Sequence, residues 1–215
     1  MRLLDRLLPG TPIPQQRIAN APVDGALVRE SLSRHGRFTL TARGGSMNPA
    51  VPDGSVVVVE PAAFSLARYG EIVMATYGGT WHVIHRIVGR DRRAGMLLTK
   101  GDSLDGLDPP VDEAMFLGRV AGYSRGARRV ALDKGLMRRA GPLLATLSIG
   151  SLALVAIPVR VLRGIPWGTR IARLLARVAR GPAWVLAWVL VRLSARPCGP
   201  RSSGRGTDRS DDRLP

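Results

Sequence analysis

A serine set among glycines is the first residue of this chain that could do chemistry. Ser46 follows Gly44 and Gly45 and precedes Met47. Glycine lets backbone N–H groups approach a substrate carbonyl with no Cβ in the way, as an oxyanion hole requires. A serine in an ordinary turn has the same neighbours. Ser46 therefore indicates catalysis only if a base and an orienting group accompany it.

Four side chains in the first half of the chain could be that base: His35, His82, His85 and Lys100. His35 lies at the end of a predicted helix, where a structural role suffices. His82 and His85 are three positions apart in a predicted strand, so they point to opposite faces and at most one can face the site. A histidine among apolar neighbours, as His85 is, needs a hydrogen-bond partner, and so does a catalytic base. A structural core histidine has the same neighbours.

Carboxylates that could orient the base gather in residues 99–112. They are Asp102, Asp105, Asp108 and Asp112. Asx turns account for some of them, and the spacing does not fit an EF-hand calcium loop. The chain has three histidines and one cysteine, so a zinc site is not expected. We expect no metal.

The segments that would position these side chains are strands. Alternating or β-branched residues bounded by turn signals predict about six of them, and Gly78-Gly79 predicts a hairpin. A helix is predicted from Val23 to His35, capped by Asp24 and ended by Gly36. Residues 37–124 should form a compact, mainly β domain after an N-terminal helical extension of residues 1–36. The predicted strands are Arg37–Arg43, Ser55–Glu60, Glu71–Tyr77, Thr80–Arg90, Met96–Lys100 and Met115–Tyr123.

Charge separates the two halves of the chain. The net charge is +16, and residues 125–215 carry 18 Lys/Arg against 4 Asp/Glu, whereas residues 1–124 carry 14 against 12. Such a basic half binds anionic lipid or nucleic acid. Long uncharged runs separate its charges, which favours lipid. We expect an anionic membrane, and no nucleic acid, as the partner of residues 125–196.

Two apolar runs predict how that region meets the membrane. Gly141–Val159 has 19 residues without a charge, about 28 Å as a helix, close to the hydrocarbon thickness of a bilayer. A buried core helix is the alternative, but the sequence shows no partner for it. Arg170 to Arg180 line one helical face, and Pro182–Val191 adds two tryptophans, which is typical of a helix in the headgroup region or a re-entrant hairpin. Residues 197–215 are predicted to be disordered.

Four ordered segments resemble the conserved boxes of type I signal peptidases. The resemblance covers about residues 37–124 and is to the endoplasmic-reticulum, archaeal and Bacillus sporulation-type branch, in which histidine replaces the catalytic lysine. The segments are Gly45-Ser46-Met47-x-Pro49, Tyr69-Gly70-Glu71-Ile72-Val73, Ile84-His85-Arg86-Ile87-Val88 and Thr99-Lys100-Gly101-Asp102, with Asp108 following.

The resemblance implies roles for particular residues. Ser46 would be the nucleophile and His85 the base, while Asp108 would be the third catalytic residue. Asp102 would hold the loop or help to orient His85. The backbone N–H of Ser46, with the Gly44-Gly45 segment, would form the oxyanion hole, and Met47 would line the substrate pocket.

The resemblance also implies a signal-peptidase-like or LexA-like β fold. It implies an enzyme that cleaves precursor peptides after small residues and needs no cofactor. Family members usually carry a membrane span before the serine, whereas the predicted membrane segments here follow the domain. We expect the protein to lie at a bacterial cell membrane, and its peptidase domain could face either side of that membrane. The alternatives are a self-cleaving regulatory peptidase of the LexA-like type and an inactive membrane-bound binding module of the same fold.

Overall fold

The structure is a computed structural model that describes residues 23–161, 181 and 184–197. The predicted arginine row from Arg170 to Arg180 and nearly all of the predicted disordered tail lie outside these residues. Within them, strands dominate and every strand pairing is antiparallel. The mainly β prediction is therefore confirmed.

The predicted N-terminal helix is present as α1, Gly25–His35. Its first turn is capped by Asp24, whose side chain accepts a hydrogen bond from the backbone N–H of Ala26 at 2.9 Å. The helix ends at Gly36, which adopts φ 66°, a left-handed conformation that costs glycine little. Val28 and Leu32 bury one face of the helix against the sheet core.

In the described part of the chain, eight strands form one sheet in the order β1-β2-β6-β3-β4-β5, and β7 joins β6 to β8. The six predicted strands are all present, with ends within a few residues of those predicted. β7 and β8 were not predicted, because arginines and a proline make them poor strand candidates. The strands are β1 Phe38–Thr41, β2 Val56–Glu60, β3 Ile72–Tyr77, β4 Trp81–Asp91, β5 Met96–Lys100, β6 Phe116–Arg125, β7 Arg128–Ala131 and β8 Arg196–Pro197.

The register of the central hairpin decides which side chains can meet. Gly78 and Gly79 have positive φ and connect β3 to β4, so that Val73 lies opposite His85. β5 pairs with β4 only from Arg86 onward. Among the described strands, residues 81–85 of β4 therefore have a second edge that no strand occupies. Alternating side chains fill one core on each face of the sheet, with Met74 in the first and Val73 in the second.

The long helix α2, Gly135–Val161, corrects the predicted membrane span over Gly141–Val159. The early part of that run is packed on the β domain, where Leu144 is buried in the sheet core and Ala145 is also buried. Within the described residues, no helix has the length and apolarity needed to cross a bilayer. The span prediction assumed that no apolar partner existed, but folding brings the first core to this helix.

A last helical stretch, residues 184–194 and here called α3, also packs on this core. Ala187 and Leu190 are buried in the same cluster as the sheet residues. The chain then returns to the sheet, where Arg196 of β8 pairs with Arg129 of β7.

Candidate active site

The loop between β1 and β2 presents Ser46. Gly44 has φ 94°, a conformation that suits glycine, and its backbone N–H donates to the Asp53 carboxylate at 2.6 Å. A turn follows, in which the N–H of Asn48 donates to the carbonyl of Gly45 at 3.0 Å. Backbone and side-chain hydrogen bonds thus fix the loop on both sides of the serine.

Ser46, His85 and Asp108 form a continuous hydrogen-bonded chain. The His85 Nε2 atom lies 2.9 Å from Ser46 Oγ, and Nδ1 lies 2.6 Å from Asp108 Oδ2. Because a carboxylate only accepts, Nδ1–H donates to Asp108, and Nε2 is left to accept from the serine hydroxyl. The three residues are 7%, 4% and 8% exposed, so water competes little for these bonds. This is the arrangement that lets an imidazole take the proton of a serine.

Thr99 and Tyr77 hold the carboxylate end of this chain. The Thr99 hydroxyl donates to Asp108 Oδ2 at 2.8 Å, and the Asp108 N–H donates to the carbonyl of Thr99 at 2.9 Å. The Tyr77 hydroxyl donates to the Pro109 carbonyl at 2.8 Å. Burial, with a smaller effect from the charge of Asp108, raises the pKa of Tyr77 well above its ordinary value. Tyr77 is therefore a neutral donor at any physiological pH.

Asp102 lies apart from this chain. Its two carboxylate oxygens accept from Nε and Nη2 of Arg86, at 2.8 and 2.6 Å, while Arg86 Nη1 donates to the carbonyl of Gly70 at 2.9 Å. Asp108 rather than Asp102 is the carboxylate hydrogen-bonded to His85. Of the two roles that the resemblance implied for Asp102, the geometry fits loop support, because this buried pair joins the strand that carries His85 to the loop after β5.

The loop after β5 holds the serine loop in place through hydrogen bonds. The N–H of Ser103 donates to the Ser46 carbonyl at 2.8 Å, and the Ser103 hydroxyl donates to the Gly45 carbonyl at 2.5 Å. A Cβ at Gly101 would lie 2.9 Å from the Cβ of Ser46, so a larger residue would displace the nucleophile. The Lys-Gly-Asp box is thus packed against the serine loop.

Lys100 connects that loop to α2. Its side chain is fully buried, and Nζ donates to the carbonyl of Gly101 at 3.1 Å and to the Ser148 hydroxyl at 2.6 Å. Lys100, one of the four candidate bases, is thus engaged with α2 in this structure. The contribution of Ser148 had no sequence signal, because the residue lies inside an uncharged run that predicted a membrane span.

A small cavity opens beside Ser46. Its volume is about 20 Å³, room for little more than one water molecule or a methyl group. Met47 is buried and lines this cavity. Gly44 also lines it, whereas Gly45 does not. The remaining lining residues are Ala42, Arg43, Val51, His82, Val83 and Ile84.

His82 lines this cavity although strand alternation predicted that it would face away from the site. Its Nε2 lies 2.7 Å from the carbonyl of Val23, so this nitrogen carries the proton and donates. Burial lowers the pKa of His82, against smaller raising effects from the Val23 carbonyl and Asp24. The contact also places the chain that leads into α1 beside the cavity. His35, the fourth candidate base, is exposed at the end of α1.

Comparison with known families gives one match. The sequence model of the Peptidase S24-like family matches residues 8–121, which include Ser46, His85 and Asp108. Searches of curated proteins and of solved structures give no significant match. In the described part of the chain, no group of three or more His, Cys, Asp or Glu residues could hold a metal ion. More than half of the chain matches one serine peptidase family, and the chain belongs to the Peptidase S24-like family.

Proposed function

We propose that this protein is a serine endopeptidase that hydrolyses peptide bonds through an acyl-enzyme on Ser46. The observation that carries the proposal is the buried chain from Ser46 Oγ to His85 and on to Asp108, with distances of 2.9 and 2.6 Å. Each contact has the donor and acceptor that proton transfer from the serine requires.

The chemistry follows from these positions. As Ser46 Oγ bonds to the substrate carbonyl carbon, its proton passes to His85 Nε2, and Asp108 stabilises the imidazolium. Collapse of the tetrahedral intermediate breaks the C–N bond, and the same proton passes to the leaving amine. Water then attacks the acyl-enzyme, giving a proton to Nε2 that returns to Ser46 Oγ. Peptide and water are consumed, and a carboxylic acid and an amine are released.

The backbone N–H of Ser46 is the proposed donor to the oxyanion. Gly44 also belonged to the predicted oxyanion segment, but its N–H donates to Asp53. The proposed role of Gly44 is therefore to leave room for the substrate, because glycine has no Cβ to block its approach.

Two features support an extended peptide with a small residue before the scissile bond. The cavity beside Ser46 has a volume of about 20 Å³, so only a small side chain fits without rearrangement. Next to it, residues 81–85 of β4 have an edge that no described strand occupies. A peptide can hydrogen-bond to such an edge as an added strand.

The finer proposal is a signal-peptidase-like enzyme that processes precursor proteins. It is supported by the four ordered sequence segments and by a histidine at position 85, where the common bacterial enzymes have lysine. Residues of those segments contact one another and the rest of the domain, as Arg86 does with Asp102 and Lys100 with Ser148.

A second candidate is cleavage of the chain's own N-terminal segment. The Val23 carbonyl lies 2.7 Å from Nε2 of His82, a residue that lines the cavity beside Ser46, so residue 23 lies near the site. That segment includes Ala19 and Ala21, whose side chains have the size that the cavity takes.

The test compares the full chain with Ser46→Ala and His85→Ala, using Ser65→Ala at an exposed serine as the matched control. The parent and the control should react with a fluorophosphonate probe and cleave peptides with alanine before the scissile bond, and the two site variants should do neither. Equal labelling of Ser46→Ala and parent would remove the assignment, and a folded parent without labelling would favour the inactive module. Self-cleavage at a rate independent of protein concentration would select the second candidate.

A further inference from the structure

Helix α3 has two apolar faces, and among the described residues only one of them packs against the rest of the protein. Ala187 and Leu190 are buried in the sheet core, and Leu186 and Val191 pack partly against it. Along the helix, exposed residues recur at spacings of one, three and four, so they share the opposite face. They are Trp184, Val185, Trp188, Val189, Arg192 and Leu193. A helix packed on one side is expected to be polar on the other, and this one is not.

The size of this exposed face is unusual for a soluble surface. Trp184 and Val185 are 48% and 55% exposed, Trp188 and Val189 are 39% and 38%, and Leu193 is 71%. Single exposed apolar residues are common, but a continuous face with two tryptophans marks a surface that another phase or partner covers.

The charges around this face select the partner. Arg192 lies over the Trp188 ring, its guanidinium carbon 4.1 Å from the ring centroid. Residues 134–207 contain 13 Lys/Arg and no Asp or Glu. Tryptophan and arginine together suit the interface of a bilayer, where the ring is half immersed and the cation meets lipid phosphate.

We propose that the exposed face of α3, defined by Trp184, Val185, Trp188, Val189 and Leu193, lies in the interfacial layer of a membrane that contains anionic lipid. The helix lies flat, with its other face on the sheet core, and so holds the peptidase domain at the membrane surface. A second copy is a poorer occupant because two chains of net charge +16 repel each other. Nucleic acid would be met by cationic side chains rather than by this apolar face.

The test uses the full chain and sedimentation with unilamellar vesicles, and it does not depend on peptidase activity. The parent should bind vesicles that contain about one third phosphatidylglycerol more strongly than pure phosphatidylcholine, and salt at about 0.5 M should weaken the difference. The double variant Trp184→Ser/Trp188→Ser should lower the partition coefficient about tenfold or more. The matched control is Leu27→Ser/Leu66→Ser, which removes two exposed leucines elsewhere, 56% and 74% exposed, and should bind like the parent.

Three results would overturn the proposal. They are a parent that does not bind anionic vesicles, a tryptophan variant that binds them as the parent does, and a parent whose dimerisation in solution is abolished by the tryptophan changes without any vesicle binding. If the tryptophan variant fails to fold, Val189→Ser/Leu193→Ser on the same face is measured in its place, with the same expected loss. Retained peptidase activity of the free protein beside lost vesicle binding is the expected pattern, since Ser46, His85 and Asp108 lie outside α3.

Discussion

Exchanging the two nearby aspartates for asparagine distinguishes the residue that orients the base from the one that holds the loop. In Asp108→Asn the side chain keeps its volume but loses the charge that faces His85 Nδ1 at 2.6 Å. The Thr99 hydroxyl donates to the same Oδ2, so an amide nitrogen at that position donates both to His85 Nδ1 and to the Thr99 hydroxyl and reverses the Thr99 hydrogen bond. An amide N–H at that position favours the tautomer that carries its proton on Nε2. The imidazole then cannot accept the proton of Ser46, so we expect kcat to fall about 10³–10⁴-fold, or about 4–5.5 kcal/mol of barrier.

Asp102→Asn should act on stability instead. Arg86 is 2% exposed and has both Nε and Nη2 on the Asp102 carboxylate, so the exchange leaves a buried guanidinium facing a neutral amide. Breaking a buried ion pair costs about 3–5 kcal/mol, and an amide oxygen that keeps one hydrogen bond puts the expected loss near 3 kcal/mol. Turnover per folded molecule should stay within about threefold of the parent because the hydrogen bonds of His85 are untouched.

The assay for this pair separates folding from turnover. Urea unfolding gives the free energy of unfolding and the folded fraction, and single-turnover cleavage of a fluorogenic peptide with enzyme in excess gives the rate per folded molecule. Our assignment would be refuted by an Asp102→Asn enzyme that is as stable as the parent but inactive, beside an Asp108→Asn enzyme with a normal rate per site.

Three further predictions concern the supports of the site. Gly70→Ala should unfold the domain or destabilise it by more than about 3 kcal/mol in urea unfolding. The reason is that φ of Gly70 is 88° and the new Cβ would lie 2.3 Å from the Gly141 carbonyl carbon. A stability equal to that of the parent would show that α2 does not pack against Gly70. Ser148→Ala removes the hydroxyl 2.6 Å from Lys100 Nζ and should lower the free energy of unfolding by about 1.5–3 kcal/mol. It should also lower kcat more than it changes KM, and Ser148→Thr should restore both the stability and kcat. An unchanged free energy of unfolding in Ser148→Ala would contradict a stabilising bond between Ser148 and Lys100. Burial lowers the pKa of His82 in the folded state, whereas in the unfolded chain this pKa has its ordinary value of about 6.5. Below about pH 6.5 the unfolded chain therefore binds more protons, and the parent should lose stability as the pH falls toward the lowered pKa. His82→Gln should lose less stability over the same pH range, and an identical pH dependence would exclude His82 as the cause.

Local patterns in the sequence were sufficient to predict six of the eight described strands and to identify Ser46 and His85 as candidates. Alternation and β-branched runs are properties of a half-buried or buried strand, so β2 and β4 are visible without tertiary information. Ser46 and His85 lie in ordered segments with their own turn or strand context, whereas Asp108 follows the last segment and was assigned only from the family resemblance, with Asp102 left as the other choice. The structure shows that register, not spacing along the chain, brings them together.

The sequence could not decide between interactions that depend on distant packing. Four aspartates share one loop, and only the register of β5 against β4 places Asp102 on Arg86 and leaves Asp108 for His85. The uncharged run after Gly141 fits a membrane span and a core helix equally well by composition. Tertiary structure determines which side of the sheet the helix packs against, and Leu144 is buried on that side.

The supports of the catalytic residues extend beyond the segment that the family comparison covers. Ser148, which lies after residue 121, binds Lys100, and Lys100 binds the loop that hydrogen-bonds to the carbonyl of Ser46. The same core that receives α2 also receives α3, whose outer face we place at the membrane. Because a packed core transmits displacement with little loss, a shift of α3 at a membrane would reach α2 through their shared core and then the nucleophile loop through Lys100. Membrane binding and turnover should therefore be coupled through Ser148, and a Ser148→Ala enzyme should lose any difference in kcat between vesicle-bound and free protein that the parent shows.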